Sequence, residues 1–583
     1  MKKIFIMALL ALVNMAQAQY VIEMSDGNTY SWNYDLNVIQ NGTGDEWSLS
    51  RTEKFNNNLE LSKVKSIYIA SMAERLAAYK APNYADDYRS SAAWSNRSKW
   101  NLGNVHDPTV MRADDGYYYM YQTDASYGNE HANGGHFHGR RSKNLVDWEY
   151  LGGTMSEVPS WVKDTLDASR TRAGLPLITK PQYGYWAPCA RKVRSGLYRM
   201  YYCIVVDNMM KTGDAPTYDK NGNMTNFDGS WGERAFIGLM ETSDPASNNW
   251  VDKGFVLSSM SDRGKNWARS STSDWNGYFR YNAIDPTFII TPEGEHWMIY
   301  GSWHAGFAAV QLEPETGKPL KEMPEFFTTL GELNSVVKRV YTRTTDSRWQ
   351  GSEGPELIYR NGYYYMFLAY DGLTVPYNTR VVRSENVDGP YFNIEGKNVT
   401  NGGDAMPLMT HPYKFGNDHG WVGISHCAVW EDGNDNWYYA SQGRYPDKWN
   451  NDEYANAIML GHVRSIRWTK DGWPVVMPER YAAVPQTPIT EEDIVGTWEH
   501  IDMSYSYGNQ KASSEMVFSA DHKITSGTWK NGTWSFDPAT NTLTANGVEL
   551  LLQRECDWEA NPRKHTIVYA GMTTSKTYWG KKK

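Results

Sequence analysis

Cysteine is scarce: Cys189, Cys203, Cys427 and Cys556 are the only four in 583 residues. No CxxC pair and no Cys/His zinc spacing occurs, so neither a disulfide scaffold nor a zinc framework is written here. The four read as mostly buried free thiols, with room for one bridge. A Walker loop is missing, as is a GxGxxG turn after a strand, which leaves nucleotide-dependent chemistry unsupported. No segment reaches 18 uninterrupted apolar residues, so no membrane span is expected. Basic residues are not in surplus either. Lys plus Arg total 58 against 67 Asp plus Glu, a net charge of −9. That balance does not suit a nucleic-acid backbone as partner.

Aromatics are abundant. Trp, Tyr and Phe number 25, 40 and 16, or 14% of the chain, beside 49 Gly. Short hydrophobic runs rich in aromatics and punctuated by Gly favour an all-β chain. Flat aromatic faces also suit sugars, although most individual rings simply fill a β core. At the start, Lys2 and Lys3 precede an apolar run from Ile4 to Val13 and the small-x-small triplet Ala16-Gln17-Ala18. This reads as a signal peptide over 1–18 and predicts export to the periplasm or medium.

A pattern recurs five times. Gly-centred hairpins stand at Asp115-Gly116, Ser195-Gly196, Glu293-Gly294, Asn361-Gly362 and Asp432-Gly433, each leading into an aromatic strand. Such dipeptides supply the positive φ that tight hairpins require. Each hairpin follows a polar cluster by seven to nine residues: His106-Asp107-Pro108, Trp186-Ala187-Pro188, Ile284-Asp285-Pro286, Glu353-Gly354-Pro355 and Ser425-His426-Cys427. Five repeats of three or four strands describe a five-bladed β-propeller. The inner strand of each blade lines the channel, so the clusters should meet as a ring at one mouth.

That ring would hold Asp107, Trp186, Asp285, Glu353 and His426. A single Asp-Pro or Glu-Gly-Pro is most simply a strand-entry turn. Three carboxylates at matching blade positions are the parts for cleaving a glycosidic bond: a protonated acid, an ionised base and a third charge that raises the acid's pKa. Spacing alone leaves open which acid takes which role.

The same residues resemble glycoside hydrolase family 43, in particular the secreted endo-α-1,5-L-arabinanases. Over residues 100 to 485 the likeness rests on His106-Asp107-Pro108, Tyr185-Trp186-Ala187-Pro188, Asn282-Ala283-Ile284-Asp285-Pro286, Tyr300-Gly301-Ser302-Trp303, Glu353-Gly354-Pro355 and Tyr377-Asn378. The resemblance implies an inverting hydrolase of arabinan, with Asp107 as general base, Glu353 as general acid and Asp285 as the pKa-tuning, orienting carboxylate. It further implies a largely water-coordinated calcium ion at His426. From chemistry alone, a lone His reads as a core or hydrogen-bonding residue. Trp186, Asn282, Ser302 and Trp303 are the expected sugar contacts. The alternatives are an exo-acting arabinofuranosidase or β-xylosidase, and a glycan-binding propeller without catalysis. Three positions depart from the family pattern: Cys189 where Asp is usual, Glu356 where an aromatic is usual, and Cys427 after the histidine.

The expected organisation is a small N-terminal β appendage over 19–75, a propeller over 95–485 and a small C-terminal β-barrel over 490–583, with Pro485-Gln486-Thr487-Pro488 as linker. Residues 72 to 79 read as a short helix. The protein is expected to act as a monomer on its polysaccharide.

Overall fold

A computed structural model describes residues 20–26, 29–32, 36–40, 47–51, 59–60, 63–86, 94–124, 134–173, 177–178, 181, 183–206, 219–221, 234–259, 281–303, 305–323, 330–344 and 351–583. The signal-peptide reading of 1–18 lies outside these residues. The chain divides into two units, one of residues 1–81 with 484–489 and one of 82–483 with 490–583. The expected linker around Pro485 to Pro488 therefore falls largely with the first unit.

In the first unit, strand Tyr20–Met24 pairs antiparallel with Thr29–Trp32 and with Val64–Ile69. A second small sheet joins Leu36–Gln40, Trp47–Arg51 and Leu59–Glu60. Helix Met72–Ala77 follows. It starts at Ser71, whose hydroxyl accepts from the Glu74 amide while the Glu74 carboxylate accepts from the Ser71 amide. This reciprocal pair satisfies amides that the first helical turn leaves without partners.

The second unit holds the propeller. Each blade is four antiparallel strands in chain order. The inner strands are Thr109–Arg112, Tyr183–Arg194, Thr287–Ile290, Ser352–Arg360 and Ala428–Glu431. Each packs beside the next and the last returns to the first, closing a five-membered ring. The five turn glycines, Gly116, Gly196, Gly294, Gly362 and Gly433, all have φ between +69° and +90°. They mark the end of the channel opposite the polar clusters.

Closure is made by chain that precedes blade 1. The Asn104 amide donates to the Met459 carbonyl, and the Gly461 amide to the Leu102 carbonyl, both at 2.7 Å. This strip covers part of a blade 5 edge that would otherwise present unpaired backbone groups. Among the described residues three α-helices have no counterpart in the sequence reading: Leu330–Asn334, Glu491–Ile494 and, the longest, Ser160–Ala173 after blade 1. Its Trp161 meets Phe236 and Phe255 of blade 2 edge-on.

Residues 496–582 form an eight-strand antiparallel sheet. Its two end strands approach through a bridge between Lys523 and Thr533, so the barrel is nearly closed. Trp498, Trp529, Trp534 and Trp579 are all buried, which makes them core rather than glycan platforms. The barrel shares a core with blades 4 and 5, where Ile501, Met503, Val568 and Trp579 join Phe367, Trp421, Tyr439 and Val475. A parallel pairing of Tyr413–Lys414 with Lys511–Ala512 adds a backbone link. All four cysteines are free and buried, with no bridge.

Candidate active site

The mouth of the channel is built from a repeated backbone irregularity. At the start of each inner strand one residue takes a left-handed conformation: Asp107 (φ 44°), Ala187 (φ 41°), Asp285 (φ 56°), Gly354 (φ 58°) and His426 (φ 53°). Proline follows in four of the five. Left-handed geometry is costly for residues with a Cβ, and clusters of it accompany functional sites. The repeat also corrects the ring expected from sequence. In blades 2 and 4 the equivalent residues are Ala187 and Gly354, so Trp186 and Glu353 stand one position earlier. The register shifts there, between Trp186 and Cys189 and between Glu353 and Glu356. These bulges turn the two side chains toward the mouth.

Asp107, Asp285, Glu353 and His426 are brought together. The Nδ1 of His426 lies 3.1 Å from Oδ1 of Asp107. The Nε2 of His106 lies 3.3 Å from that same oxygen. The other oxygen of Asp107 accepts from the Thr123 hydroxyl at 2.8 Å. Its backbone amide donates to Oε1 of Gln442 from blade 5. The Thr123 hydroxyl also accepts from the Ala187 amide, tying blade 2 to the base of blade 1. Burial pushes the Asp107 carboxyl upward, but His106, His426 and the Thr123 hydroxyl outweigh it and hold it below the usual carboxylate range.

Glu353 is held by three donors. Its Oε1 accepts from the Tyr377 hydroxyl at 2.5 Å. Its Oε2 accepts from the Ser302 hydroxyl at 3.1 Å and the Trp303 indole N–H at 2.8 Å. These donors favour the ionised form, yet burial and the Asp107 charge prevail and Glu353 stays above its ordinary value. Asp285 accepts from the Gly354 amide at 3.0 Å. Burial, reinforced by the charges of Glu353 and Asp107 and opposed by His426, pushes it up to about 7. Burial opposes the charge on His426, but the carboxylates of Asp107, Asp285, Glu353 and Glu356 outweigh it and raise the imidazole as well. The mouth thus pairs an ionised Asp107 with two carboxyls that resist losing their protons.

The remaining expected contacts separate. Trp186 is 37% exposed at the mouth, with its indole lying across Gly184, where a Cβ would come within 2.7 Å of Nε1. Ser302 and Trp303 hold Glu353. Asn282 is 2% exposed and its amide oxygen accepts from the Ser259 hydroxyl at 2.8 Å, which puts it in the wall between blades 2 and 3. Glu356 faces inward: both its oxygens lie 2.6 Å from an Arg191 nitrogen, and it also accepts from the Thr287 hydroxyl and the Val429 amide. Its charge is thereby matched beneath the mouth. Tyr377, Thr123, His106 and Gln442 are site residues to which the sequence reading gave no role, although His106 and Tyr377 stood within quoted motifs.

A cavity of about 20 Å³ lies under the carboxylates, lined among others by Asp107, Asp285, Glu356, His426, Cys189 and Cys427. Carboxylate oxygens and one imidazole suit a hard cation such as calcium. The volume admits about one or two water-sized particles.

Comparison with known proteins adds findings of three kinds: family models, relatives and a solved structure. A family model described as glycosyl hydrolases family 43 matches residues 102–474, and one described as a C-terminal lipocalin-like domain matches residues 478–580. The chain is 24% identical over 549 residues to an extracellular endo-α-(1→5)-L-arabinanase 2 of Bacillus subtilis, covering 88% of this chain and 98% of that protein. It is 25% identical over 386 residues to an extracellular exo-α-(1→5)-L-arabinofuranosidase of Cellvibrio japonicus, covering 64% and 86%. The fold matches the crystal structure of an endo-1,5-α-L-arabinanase from Thermotoga petrophila with a TM-score of 0.59 at 21% identity, covering 83% of this chain and 99% of that one.

Proposed function

This chain belongs to glycosyl hydrolases family 43, and on that premise we propose that it cleaves internal α-1,5-L-arabinofuranosidic bonds of arabinan with inversion. The observation that carries the reading is the division of protonation at the mouth. Asp107 is ionised and suited to take a proton from water. Glu353, retained above its ordinary value, is suited to give one to the leaving oxygen.

In this reading the water oxygen attacks the anomeric carbon and loses its proton to Asp107. The bond to the leaving oxygen breaks as Glu353 protonates that oxygen. Asp285 and Glu353 titrate as a pair, because two carboxyls in one buried site resist ionising together. Ser302, Trp303 and Tyr377 fix the acid's orientation. Trp186 offers an aromatic face beside the cleavage point. A calcium ion in the small cavity belongs to the proposal. His426, Asp107 and Asp285 would flank it, and its charge would favour the ionised carboxylates.

The leader and the extracellular relatives support export, and the protein is taken to act as a monomer. Digestion of linear arabinan tests the reaction. A ladder of oligomers is expected, with Glu353→Gln inert. Release of only the shortest product from chain ends would show exo action. Equal inertness of wild type and variant on arabinan and xylan would favour binding without catalysis.

A further inference from the structure

We propose that the C-terminal barrel supplies an aromatic sugar-binding subsite to the mouth of the channel through Tyr505, on a segment that also exposes Tyr507 two residues on. The inference rests on the arabinan reading and extends it to a part of the chain outside the propeller. The segment between barrel strand Gly496–Asp502 and strand Lys511–Ala512, which pairs with Tyr413–Lys414, leaves the barrel and reaches blade 4. There the Tyr505 hydroxyl donates to Oδ2 of Asp371 at 2.8 Å. The Arg380 guanidinium lies 4.9 Å from the Tyr505 ring centre, and His411 meets the ring edge-on at 6.1 Å. The Ser506 amide donates to Nε2 of His411 at 3.1 Å. The Gln510 side-chain amide donates to the Tyr413 and His419 carbonyls. The segment is pinned at several points, yet Tyr505 remains 42% exposed and Tyr507 64% exposed.

Its position matters more than its exposure. Asp371 follows the blade 4 strand Tyr363–Tyr370, whose last residue pairs with Ser352 beside Glu353. The Asp371 amide donates to the Gly351 carbonyl at 2.8 Å. Arg343 donates to that carbonyl and to Asp371, each at 2.8 Å. A Cβ on Gly351 would lie 3.5 Å from the Trp303 ring, and Trp303 donates to Glu353. A continuous row therefore runs from the catalytic carboxyl through Trp303, Gly351, Arg343 and Asp371 to Tyr505, all at the same end of the propeller. Polar anchoring that fixes an exposed ring at the end of such a row is the arrangement a stacked sugar requires, since a ring held in place in advance loses little freedom on binding. The occupant is an arabinan residue several units from the cleavage point. Short substrates would not reach it.

The test uses the full chain and compares linear arabinan with arabinotriose. In Tyr505→Ala/Tyr507→Ala the ratio of kcat/KM on the polymer to that on the trisaccharide should fall about fivefold, carried by KM. In a Glu353→Gln background the same pair of changes should weaken arabinan binding by a similar factor. Tyr507→Ala alone, at the more exposed position, should move the ratio in the same direction without lowering Tm. Tyr505→Phe keeps the ring and should retain most of the preference for the polymer. An unchanged ratio in an enzyme that hydrolyses arabinan overturns the subsite and leaves the reaction standing. An equal loss on both substrates with a lowered Tm also overturns it, showing a docking role only. Wild type inert on arabinan overturns the reaction and the subsite together.

Discussion

Gly354 lies directly against His426: a Cβ at Gly354 would come within 2.9 Å of the imidazole, and its φ of +58° disfavours any side chain. The residue after Glu353 is small because the histidine of the next blade occupies that space. Gly354→Ala should push the imidazole away from Asp107 and remove a raised, positively inclined neighbour from the base. Turnover should fall by about 100-fold, and stability by about 1–3 kcal/mol. Steady-state rates on linear arabinan and a denaturant melt check both.

Tyr377→Phe removes one donor to the Glu353 carboxylate. That donor favours the ionised form, so its loss should raise the pKa of Glu353 further. The alkaline limb of the kcat/KM profile should move to higher pH, with kcat lowered about tenfold through looser positioning of the acid. A profile over pH 5 to 9 checks the direction.

Asp285 titrates at about 7 in the folded chain, against about 3.9 when unfolded. Between those values the folded state holds the extra proton, so stability falls as pH rises through that window. Asp285→Asn should be nearly inert yet melt above wild type at pH 8. The gap should shrink toward pH 5, where wild-type Asp285 is already neutral. Thermal melts of the calcium-free protein at the two pH values check it, since an ion beside Asp285 would itself hold that carboxylate ionised.

The buried pair of Arg191 and Glu356 gives a different signature. Glu356→Ala leaves a guanidinium without its carboxylate and should cost about 3–5 kcal/mol. Adding Arg191→Met should recover much of that loss. A double-mutant cycle in denaturant measures the coupling.

Exhaustive chelation should lower turnover, and calcium added back should restore it, with about one ion per chain recovered by elemental analysis. His426→Ala should reduce the ion retained.

The architecture was legible because it repeats. The hairpin dipeptides impose positive φ at five turns, and alternating aromatic strands between them permit little besides blades. The carboxylates followed, since each heads an inner strand. The one-residue offset at Trp186 and Glu353 was not legible: a bulge changes which residue faces the mouth without changing composition. Tyr377, Thr123 and Gln442 come from strand ends outside the clusters, and only the closed ring brings them to the acids. Glu356 stood out in the sequence only as a departure from the family pattern, because its partner, Arg191, lies on a different blade. Helix Ser160–Ala173 interrupts the repeat and carries no periodic signal strong enough to set it apart from a long connection.

The strip Leu102–Asn104 fastens to Met459–Gly461, and Asp107 on the first blade takes its amide partner and its imidazole from the last. During synthesis Asp107 is therefore made early and its surroundings are completed late. A chain released before Gly461 would contain all three carboxylates and still lack the circle that gives them different protonation. Activity in this protein is a property of the finished ring, so nicking the backbone between Asn104 and Asp107 should silence the enzyme while leaving every acidic side chain in place.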